Sequence, residues 1–206
     1  MLRKLETFNF IRRNIEMFNA STKMRKRLFV VDNFYEYPNE IRNTALQQQY
    51  KSDMRYYKGL RSTKVFRPDS IKTEFEKILG EPITNWNYQA NGVFQLMTAE
   101  DFQVYHCDFQ KWAAIIYLTP NAPFESGTRF YSSRSTGIRE STDDSETMKK
   151  TFSGGFYDST KFETVDSVGN VYNRLIIMSA QCIHSAGPYF GNSILTGRLT
   201  HLFFFD

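Results

Sequence analysis

The sequence predicts a mainly β domain of the α+β class, with a jelly-roll or cupin-like barrel at its core. Aromatic residues make up 16% of the chain, and aromatic side chains favour strands over an all-helical bundle. Helical patterns come first, whereas short alternating segments separated by turns dominate from Trp86 onward. A series of many short strands is typical of such barrels. The length of 206 residues suits one domain with a sizeable core.

The first 27 residues predict an amphipathic helix with a basic end. Apolar side chains recur mostly at steps of three and four residues from Leu2 to Phe18, and a basic run occupies positions 23–27. We interpret the segment as a helix that packs on the domain with a solvated basic end, because runs of charge are usually exposed to water. The alternative is an arm that binds a membrane surface or a nucleic acid. Residues 28–206 are predicted to form a single domain.

A first strand and two helices are predicted before the strand-rich region. Residues 28–34 are largely apolar and favour a strand, and Pro38 marks the start of a helix with one apolar side. A second helix is expected to begin near Asp69 or Ser70, where either side chain can cap it, and to end at Gly80. Helices therefore come first and strands dominate afterwards, which is an α+β order.

The strand-rich region is interrupted by one long polar segment. Asn91-Gly92 predicts a hairpin between strands at residues 84–89 and 93–97. Further strands are predicted at residues 104–109, 113–119, 126–131, 174–180, 181–185 and 197–205. Residues 132–163 are polar and show little periodicity, and a loop of that length is usually functional or disordered. We interpret it as an insertion that borders or covers the functional site, with a mobile surface excursion as the alternative.

Composition argues against several classes of function. A net charge of +4 does not by itself imply a nucleic-acid partner, and we do not expect one. Two cysteines are too few for a secreted disulfide framework, so both are expected to be reduced thiols in a cytoplasmic protein. The longest apolar runs fall far short of the roughly 20 residues that span a bilayer, and no signal peptide is expected. The oligomeric state is not predicted by these patterns.

The stretch at residues 104–109 carries the first candidate metal ligands. In a strand, His106 and Asp108 would share one face about 6.6 Å apart along the chain. His184 can supply a third ligand from a distant part of the sequence, whereas His201 is expected to be structural or exposed. Two histidines and one carboxylate leave three positions open on an iron, as in non-haem Fe(II) oxygenases. Each imidazole is expected to be neutral, with its second nitrogen held by an acceptor.

The last predicted strand supplies a candidate anion site. Arg198 and Thr200 share one face by alternation, and a guanidinium inside an aromatic-rich barrel is costly unless it pairs with an anion. A carboxylate accepts two parallel hydrogen bonds from arginine, and the Thr200 hydroxyl can add a third. The sequence offers no obvious acidic partner, so a carboxylate ligand is expected. 2-Oxoglutarate fits, because its C1 carboxylate and ketone can chelate iron while its C5 carboxylate reaches the arginine.

These residues together resemble a known family. His106-Cys107-Asp108, His184 and Arg198-Leu199-Thr200 are similar to the HxD…H…RxS/T pattern of Fe(II)/2-oxoglutarate-dependent dioxygenases. Gly127-Thr128-Arg129-Phe130 resembles the glycine-bounded strand that follows the HxD motif in the prolyl 4-hydroxylase-like branch. The resemblance implies a double-stranded β-helix core with N-terminal supporting helices. It covers roughly residues 84–206, and more loosely 28–80.

The resemblance also implies a reaction and a set of roles. Fe(II) would be bound by His106, Asp108 and His184, and 2-oxoglutarate by Arg198 and Thr200. With O2 as oxidant, an amino-acid, peptide or small-metabolite substrate would be hydroxylated at an unactivated C–H bond, while 2-oxoglutarate is converted to succinate and CO2. Ascorbate is a further cofactor that such enzymes can use.

One part of the family pattern is shifted in this chain. Prolyl hydroxylases often place a tyrosine on the distal carboxylate of 2-oxoglutarate, but the matching stretch here reads Ile115-Ile116-Tyr117-Leu118. Tyr117 is expected to be a core residue, and Gln95 or Tyr105 could line the 2-oxoglutarate pocket instead. Two alternatives to the oxygenase remain at this stage. One is a cupin-like metal enzyme that does not use 2-oxoglutarate, and the other is a non-enzymatic jelly-roll binding protein.

Overall fold

A computed structural model describes residues 26–52 and 59–206, and ten strands and three α-helices lie within them. The helices are α1 (Pro38–Leu46), α2 (Asp69–Leu79) and α3 (Ser145–Thr151). The strands are β1 (Leu28–Val31), β2 (Tyr50–Lys51), β3 (Leu60–Val65), β4 (Val93–Met97), β5 (Trp112–Tyr117), β6 (Thr128–Ser133), β7 (Phe162–Val168), β8 (Leu175–Ser179), β9 (His184–Ala186) and β10 (Arg198–Phe205). The amphipathic helix predicted for residues 1–27 lies almost wholly outside the described residues.

The strands form two sheets of unequal size. The larger sheet has seven antiparallel strands in the order β1-β8-β5-β10-β4-β3-β2, and the smaller has three in the order β7-β6-β9. An isolated bridge between His106 and His184 adds residue 106 to the smaller sheet beside β9. The prediction of a mainly β fold with a few helices is therefore confirmed.

The larger sheet is buried on both faces, as alternate residues of β10 show. Phe203 and Phe205 face the helices, where their rings lie 5.1 and 5.5 Å from that of Phe75. Leu202 faces the other way and belongs to a core cluster with Phe130 of the smaller sheet. Because successive side chains of a strand point to opposite faces, one strand serves both cores. Helices α1 and α2 thus cover one face of the sheet, and the smaller sheet covers the other.

Both predicted helices are present. In α2, Ile71, Phe75 and Leu79 recur at helical spacing and are buried against the sheet. Gly80 ends the helix in the left-handed region at φ 73°, and its N–H donates to the Glu76 carbonyl at 2.9 Å. The N-cap residue is Pro68 rather than Asp69 or Ser70, and it makes no side-chain cap hydrogen bond.

The predicted hairpin at Asn91-Gly92 is wrong. Residues 93–97 form β4, but residues 84–89 are not a strand. The buried Asn91 side chain instead donates to the Trp86 carbonyl at 2.6 Å and accepts from the Phe204 N–H at 3.2 Å. These bonds hold the segment against the C-terminal end of β10. Residues 84–89 therefore do not pair with β4 as a second strand.

The predicted strand at residues 104–109 is reduced to a single bridge residue. The Tyr105 N–H donates to Phe156 O at 2.8 Å, His106 pairs with His184, and the Asp108 N–H donates to Ala180 O at 2.8 Å. Successive backbone groups are therefore bonded to three different segments instead of to one neighbouring strand.

Residues 132–163 contain regular structure of their own. The segment comprises the end of β6, α3, a 3₁₀ helix at Ser159–Lys161 and the start of β7. Asp144 caps α3 by accepting from the Glu146 N–H at 3.1 Å. That the segment is an insertion covering the site remains a prediction.

No helix in the described residues has the length and apolar character needed to cross a bilayer.

Candidate metal centre

The three residues predicted as metal ligands come together in the structure. His106 Nε2 lies 3.8 Å from Asp108 Oδ1, and His184 Nε2 lies 3.5 Å from Asp108 Oδ2. One ligand atom from each residue can be chosen so that all three lie within 4.8 Å of one another. The two imidazole rings have centroids 4.3 Å apart. The side chains thus converge on one point from two distant parts of the sequence.

Backbone hydrogen bonds hold these ligands in place. The His106 N–H donates to His184 O at 3.1 Å, and the His184 N–H donates to His106 O at 2.9 Å. Asp108 is held by its N–H, which donates to the carbonyl of Ala180, the first residue after β8. The centre therefore lies at the edge of the smaller sheet, where the 104–109 segment meets β9.

Each imidazole is oriented by a backbone carbonyl. Nδ1 of His106 lies 3.0 Å from Val104 O, and Nδ1 of His184 lies 2.8 Å from Cys182 O. A carbonyl can only accept, so Nδ1 carries the hydrogen and the neutral ring presents the lone pair of Nε2 to the other ligands. Two imidazole nitrogens and one carboxylate with open positions suit Fe(II). The donor set therefore fits a divalent transition metal.

Burial and mutual charge set the titration of the three side chains. Burial and the neighbouring His184 lower the pKa of His106, and the guanidinium of Arg61 acts in the same direction. Burial is the largest influence on His184 and lowers its pKa, but the hydrogen bond of the protonated ring to Asp108, the Asp108 charge and the hydrogen bond to the Cys182 carbonyl together outweigh it and raise the pKa. Burial opposes ionisation of Asp108, yet the hydrogen bond with His184 and the nearby positive groups lower its pKa below the usual value. The carboxylate is thus ionised at neutral pH.

The metal-binding candidates open onto a large cavity. Its volume is about 1650 Å³, above the roughly 300–1,000 Å³ of common small-molecule sites. His106, Asp108 and His184 line it, together with Gln95 and Arg198. Residues 138–143 and Met148 of the polar segment also contribute to the wall. The space can accommodate more than one small molecule.

Arg198 is a buried cation on this wall. It is 2% exposed, and its guanidinium donates to Ser126 O at 3.0 Å and to Gly127 O at 3.4 Å. Its Cζ also lies 5.3 Å from the ring centroid of Tyr117. In the part of the chain that the structure describes, no carboxylate lies within ion-pair distance of it. A buried positive charge of this kind calls for an anionic ligand.

Gly127 allows the carbonyl contact with Arg198. A Cβ at this position would lie 1.9 Å from Val168 O, so any side chain would push the two chain segments apart. The close approach lets the carbonyls of Ser126 and Gly127 reach the arginine. This gives a physical reason for the glycine before β6.

Sequence analysis missed Tyr117 and Thr128 as residues beside Arg198. The Tyr117 hydroxyl lies 2.8 Å from Thr128 Oγ1, and Tyr117 is completely buried. Burial raises the pKa of Tyr117, so the hydroxyl keeps its hydrogen. Tyr117 lies opposite Thr200 in the ladder between β5 and β10. The alternation within β5 could have placed it on the cavity side, but the register could not be predicted.

The other three residues predicted to bind 2-oxoglutarate lie in different surroundings. Gln95 lines the cavity. Thr200 is buried on the strand beside it, and its hydroxyl donates to Gln95 O at 3.4 Å. Tyr105 packs in a separate aromatic cluster, with its ring centroid 4.8 Å from Phe162 and 4.9 Å from Tyr131. Tyr105 therefore lies away from the pocket that it was predicted to line.

Comparison with known proteins identifies the family. Residues 15–205 match the model of a family described as "Family of unknown function (DUF6445)". The chain belongs to this family. No match was found among curated proteins.

Solved structures show what the fold is similar to. HygX from Streptomyces hygroscopicus aligns with a TM-score of 0.54 at 10% identity, covering 87% of this chain and 82% of that one. Its crystal structures include one with nickel, 2-oxoglutarate and hygromycin B, and one with iron. AviO1 from Streptomyces viridochromogenes Tue57 aligns with a TM-score of 0.53 at 13% identity, covering 88% and 90%. The resemblance to Fe(II)/2-oxoglutarate oxygenases is thus confirmed at the level of the fold.

Proposed function

We propose that the protein is a non-haem Fe(II)/2-oxoglutarate-dependent oxygenase that hydroxylates an unactivated C–H bond of an amino-acid, peptide or small-metabolite substrate. One observation carries the proposal. A His-Asp-His set with its imidazole Nε2 atoms turned inward shares a cavity with a buried arginine that has no acidic partner among the described residues. A metal would bind to the His-Asp-His set, and a carboxylate of a dicarboxylic acid would pair with the arginine.

The topology supports a double-stranded β-helix. Between β4 and β10 the chain passes back and forth between the two sheets, and residue 106 counts as a strand position of the smaller one. Strands β4, β5, β8 and β10 lie in the larger sheet, whereas residue 106, the consecutive strands β6 and β7, and β9 lie in the smaller. Four strands of the larger sheet, β4-β10-β5-β8, then lie opposite β7-β6-β9 and residue 106. In this arrangement the two histidine ligands belong to the smaller sheet, and Arg198 begins the last strand of the larger one.

The residue roles follow from chemistry and position. His106, Asp108 and His184 would hold Fe(II). When bound, the iron would supply the O2 activation by which 2-oxoglutarate becomes succinate and CO2, with one oxygen atom entering succinate and the other the substrate C–H bond. The carbonyls of Ser126 and Gly127 fix the guanidinium plane of Arg198, which then binds the distal carboxylate.

Tyr117 is proposed as a second donor to the same carboxylate. The Cζ of Arg198 lies 5.3 Å from the centroid of its ring, and burial keeps its hydroxyl protonated. Thr128 accepts or donates at 2.8 Å and so positions that hydroxyl. Residues 132–163 would border the substrate side of the cavity within a single domain spanning residues 28–206.

The decisive experiment is anaerobic titration with Fe(II) followed by 2-oxoglutarate, monitored by visible absorption. A charge-transfer band that appears only with a 2-oxo acid is expected, and addition of O2 should then yield succinate. Asp108→Ala should abolish the band. Asp143→Ala removes another carboxylate from the cavity wall and should leave iron binding within about twofold.

Two other outcomes of this titration would contradict the proposal. Iron binding without a 2-oxo-acid band would indicate a metal enzyme that does not use 2-oxoglutarate. No binding of a transition metal at all would indicate a non-enzymatic binding protein.

A further inference from the structure

The cavity wall carries a second arginine close to the metal centre. Arg61 lies on β3, opposite Gln95 of β4, which in turn lies opposite Thr200 of β10. Its side chain lines the cavity, and its Cζ lies 5.8 Å from the ring centroid of Phe204. It is near enough for its charge to act on both His106 and Asp108. Arg61 thus presents a cation to the same cavity as the metal-binding candidates.

The charges on the cavity wall favour anions. Among the described residues that line it, four are arginines and three are acids. The arginines are Arg27, Arg61, Arg139 and Arg198, and the acids are Asp108, Glu140 and Asp143. Arg27 and Glu140 pair at 3.0 Å and neutralise each other. By formal charge, the four arginines exceed the three acids by one.

Aromatic side chains surround the same space. Phe109, Phe156 and Tyr157 line the cavity, and Phe102 stacks edge-on against Tyr157 at 6.4 Å. We call these four residues the aromatic rim. Phe109 is 79% exposed and Phe102 is 72% exposed. Clusters of exposed large apolar residues mark binding surfaces, because burying them in the monomer would have stabilised it.

We propose that the substrate of this oxygenase is an amphiphilic oxyanion, bound by Arg61 through its carboxylate or phosphate and by the aromatic rim through its apolar part. The inference rests on the proposed function, because the bound molecule is a substrate only if the protein is an oxygenase. The binding site itself consists only of this chain's side chains. A guanidinium binds either oxyanion through two parallel hydrogen bonds, and aromatic rings pack on apolar groups. The anion would thereby hold the substrate next to the metal centre.

The test uses three probes that differ at one end only: 3-phenylpropanoate, 2-phenylethyl phosphate and the neutral 3-phenylpropanamide. Each is titrated calorimetrically into the full chain, first alone and then with saturating Ni(II) and 2-oxoglutarate. At least one oxyanion is expected to bind about tenfold or more tightly than the amide, as for a charge-assisted hydrogen bond. Which oxyanion binds more tightly identifies the group that the site prefers.

Two matched arginine variants locate the effect. Arg61→Gln is expected to reduce the preference for the oxyanion over the amide to about one, whereas Arg139→Gln should retain it. Arg139 is an exposed arginine on the same wall, so both variants remove one charge from the cavity. Arg61→Lys keeps the charge without the planar fork and should give an intermediate preference. The affinity for 2-oxoglutarate should change less than about twofold in Arg61→Gln.

A second pair of variants tests the rim. Phe109→Ala should weaken the oxyanion probe about two- to tenfold, the contribution of one aromatic contact. Phe124→Ala, at a phenylalanine that is also exposed but does not line the cavity, should have no effect.

Equal affinity of the amide and both oxyanions for the wild-type protein would overturn the inference. Equal weakening by Arg61→Gln and Arg139→Gln would also overturn it, because general charge and not a site would then be responsible. Failure of Ni(II) and 2-oxoglutarate to bind would contradict the proposed function instead. The titrations without cofactors would still decide whether Arg61 binds oxyanions.

Discussion

Two buried histidines of this protein differ in what their nitrogens face. His201 is 2% exposed, with Nε2 2.8 Å from Phe66 O and Nδ1 2.7 Å from the Tyr35 hydroxyl. His184 is 5% exposed, and its Nδ1 is bonded to Cys182 O while its Nε2 faces Asp108 and the cavity. Burial therefore does not distinguish a structural from a functional histidine. The distinction is whether the protein itself occupies both ring nitrogens.

The surroundings of the two rings extend this contrast. His201 lies on the helix-facing side of the larger sheet, with its ring centroid 4.3 Å from Phe94 and 4.4 Å from Phe203. His184 lies at the edge of the smaller sheet, beside exposed aromatic residues and arginines. One histidine is part of a closed apolar core, and the other borders a cavity that lacks the packing of an interior. The same residue type thus serves stability in one place and ligand binding in the other.

The free energy of unfolding should depend much more on the apolar core under the helices than on the side that borders the cavity. Phe75→Ala removes a fully buried ring that contacts Phe203 and Phe205, so it should lower the free energy of unfolding by about 3–5 kcal/mol. Phe109→Ala, at the exposed rim, should change it by less than about 0.5 kcal/mol. Urea denaturation of both variants measures the difference. Similar losses in the two variants would mean that the cavity side is packed as tightly as the core.

Metal binding should depend on His184 and not on His201. His184→Ala should weaken binding of Ni(II) by at least about 100-fold, above the 10–100-fold typical of groups that merely orient a ligand. His201→Gln should leave the metal affinity within about twofold, because its ring lies on the opposite face of the sheet. Calorimetric titration with Ni(II) provides both values. Metal affinity that survives in His184→Ala would show that the centre is elsewhere.

Binding of 2-oxoglutarate at the Arg198 end of the cavity should be separable from binding of iron at the other end. Arg198→Ala should weaken binding of 2-oxoglutarate about 10- to 100-fold, since it removes a charge-assisted pair of hydrogen bonds. Iron affinity should remain within about twofold, because Arg198 donates to backbone carbonyls and to no metal-binding candidate. The two dissociation constants can be measured on the same samples. A larger loss of iron than of 2-oxoglutarate would contradict the role assigned to Arg198.

Much of the candidate site could be predicted from local spacing. The pairing of His106 with Asp108 required only that residues two apart in an extended segment share a face. The helix α2 and its end at Gly80 followed from apolar periodicity and a left-handed cap. These features depend on residues near one another in the chain.

Features that depend on register or on buried polar side chains were not predicted. Tyr117 lies beside Arg198 only because β5 and β10 pair with Tyr117 opposite Thr200. The hairpin prediction failed because the amide of Asn91 bonds to Trp86 and Phe204 instead of closing a turn. Arg61 lies near the metal centre because β3 joins the sheet beside β4, which no local pattern indicates.

The smallest predicted effect concerns the pH dependence of stability. Burial lowers the pKa of His201 to about 3, well below the value near 6.5 expected for an unfolded chain. The unfolded state therefore binds more protons than the folded state in this window. Stability from His201 is complete above about pH 6.5 and declines as the pH falls toward about 3. Between pH 7 and pH 5.5 the loss should be about 1 kcal/mol.

His201→Gln isolates this contribution, because the amide can still donate to Phe66 O but cannot be protonated. The raised pKa of His184, where the Asp108 charge and the hydrogen bonds to Asp108 and Cys182 O together outweigh burial, has the opposite effect on stability and is common to both proteins. Urea denaturation at several pH values should show the wild-type protein losing about 1 kcal/mol more than the variant between pH 7 and pH 5.5. Parallel curves would mean that His201 can be protonated in the folded state, which would contradict the lowering of its pKa by burial in a closed core.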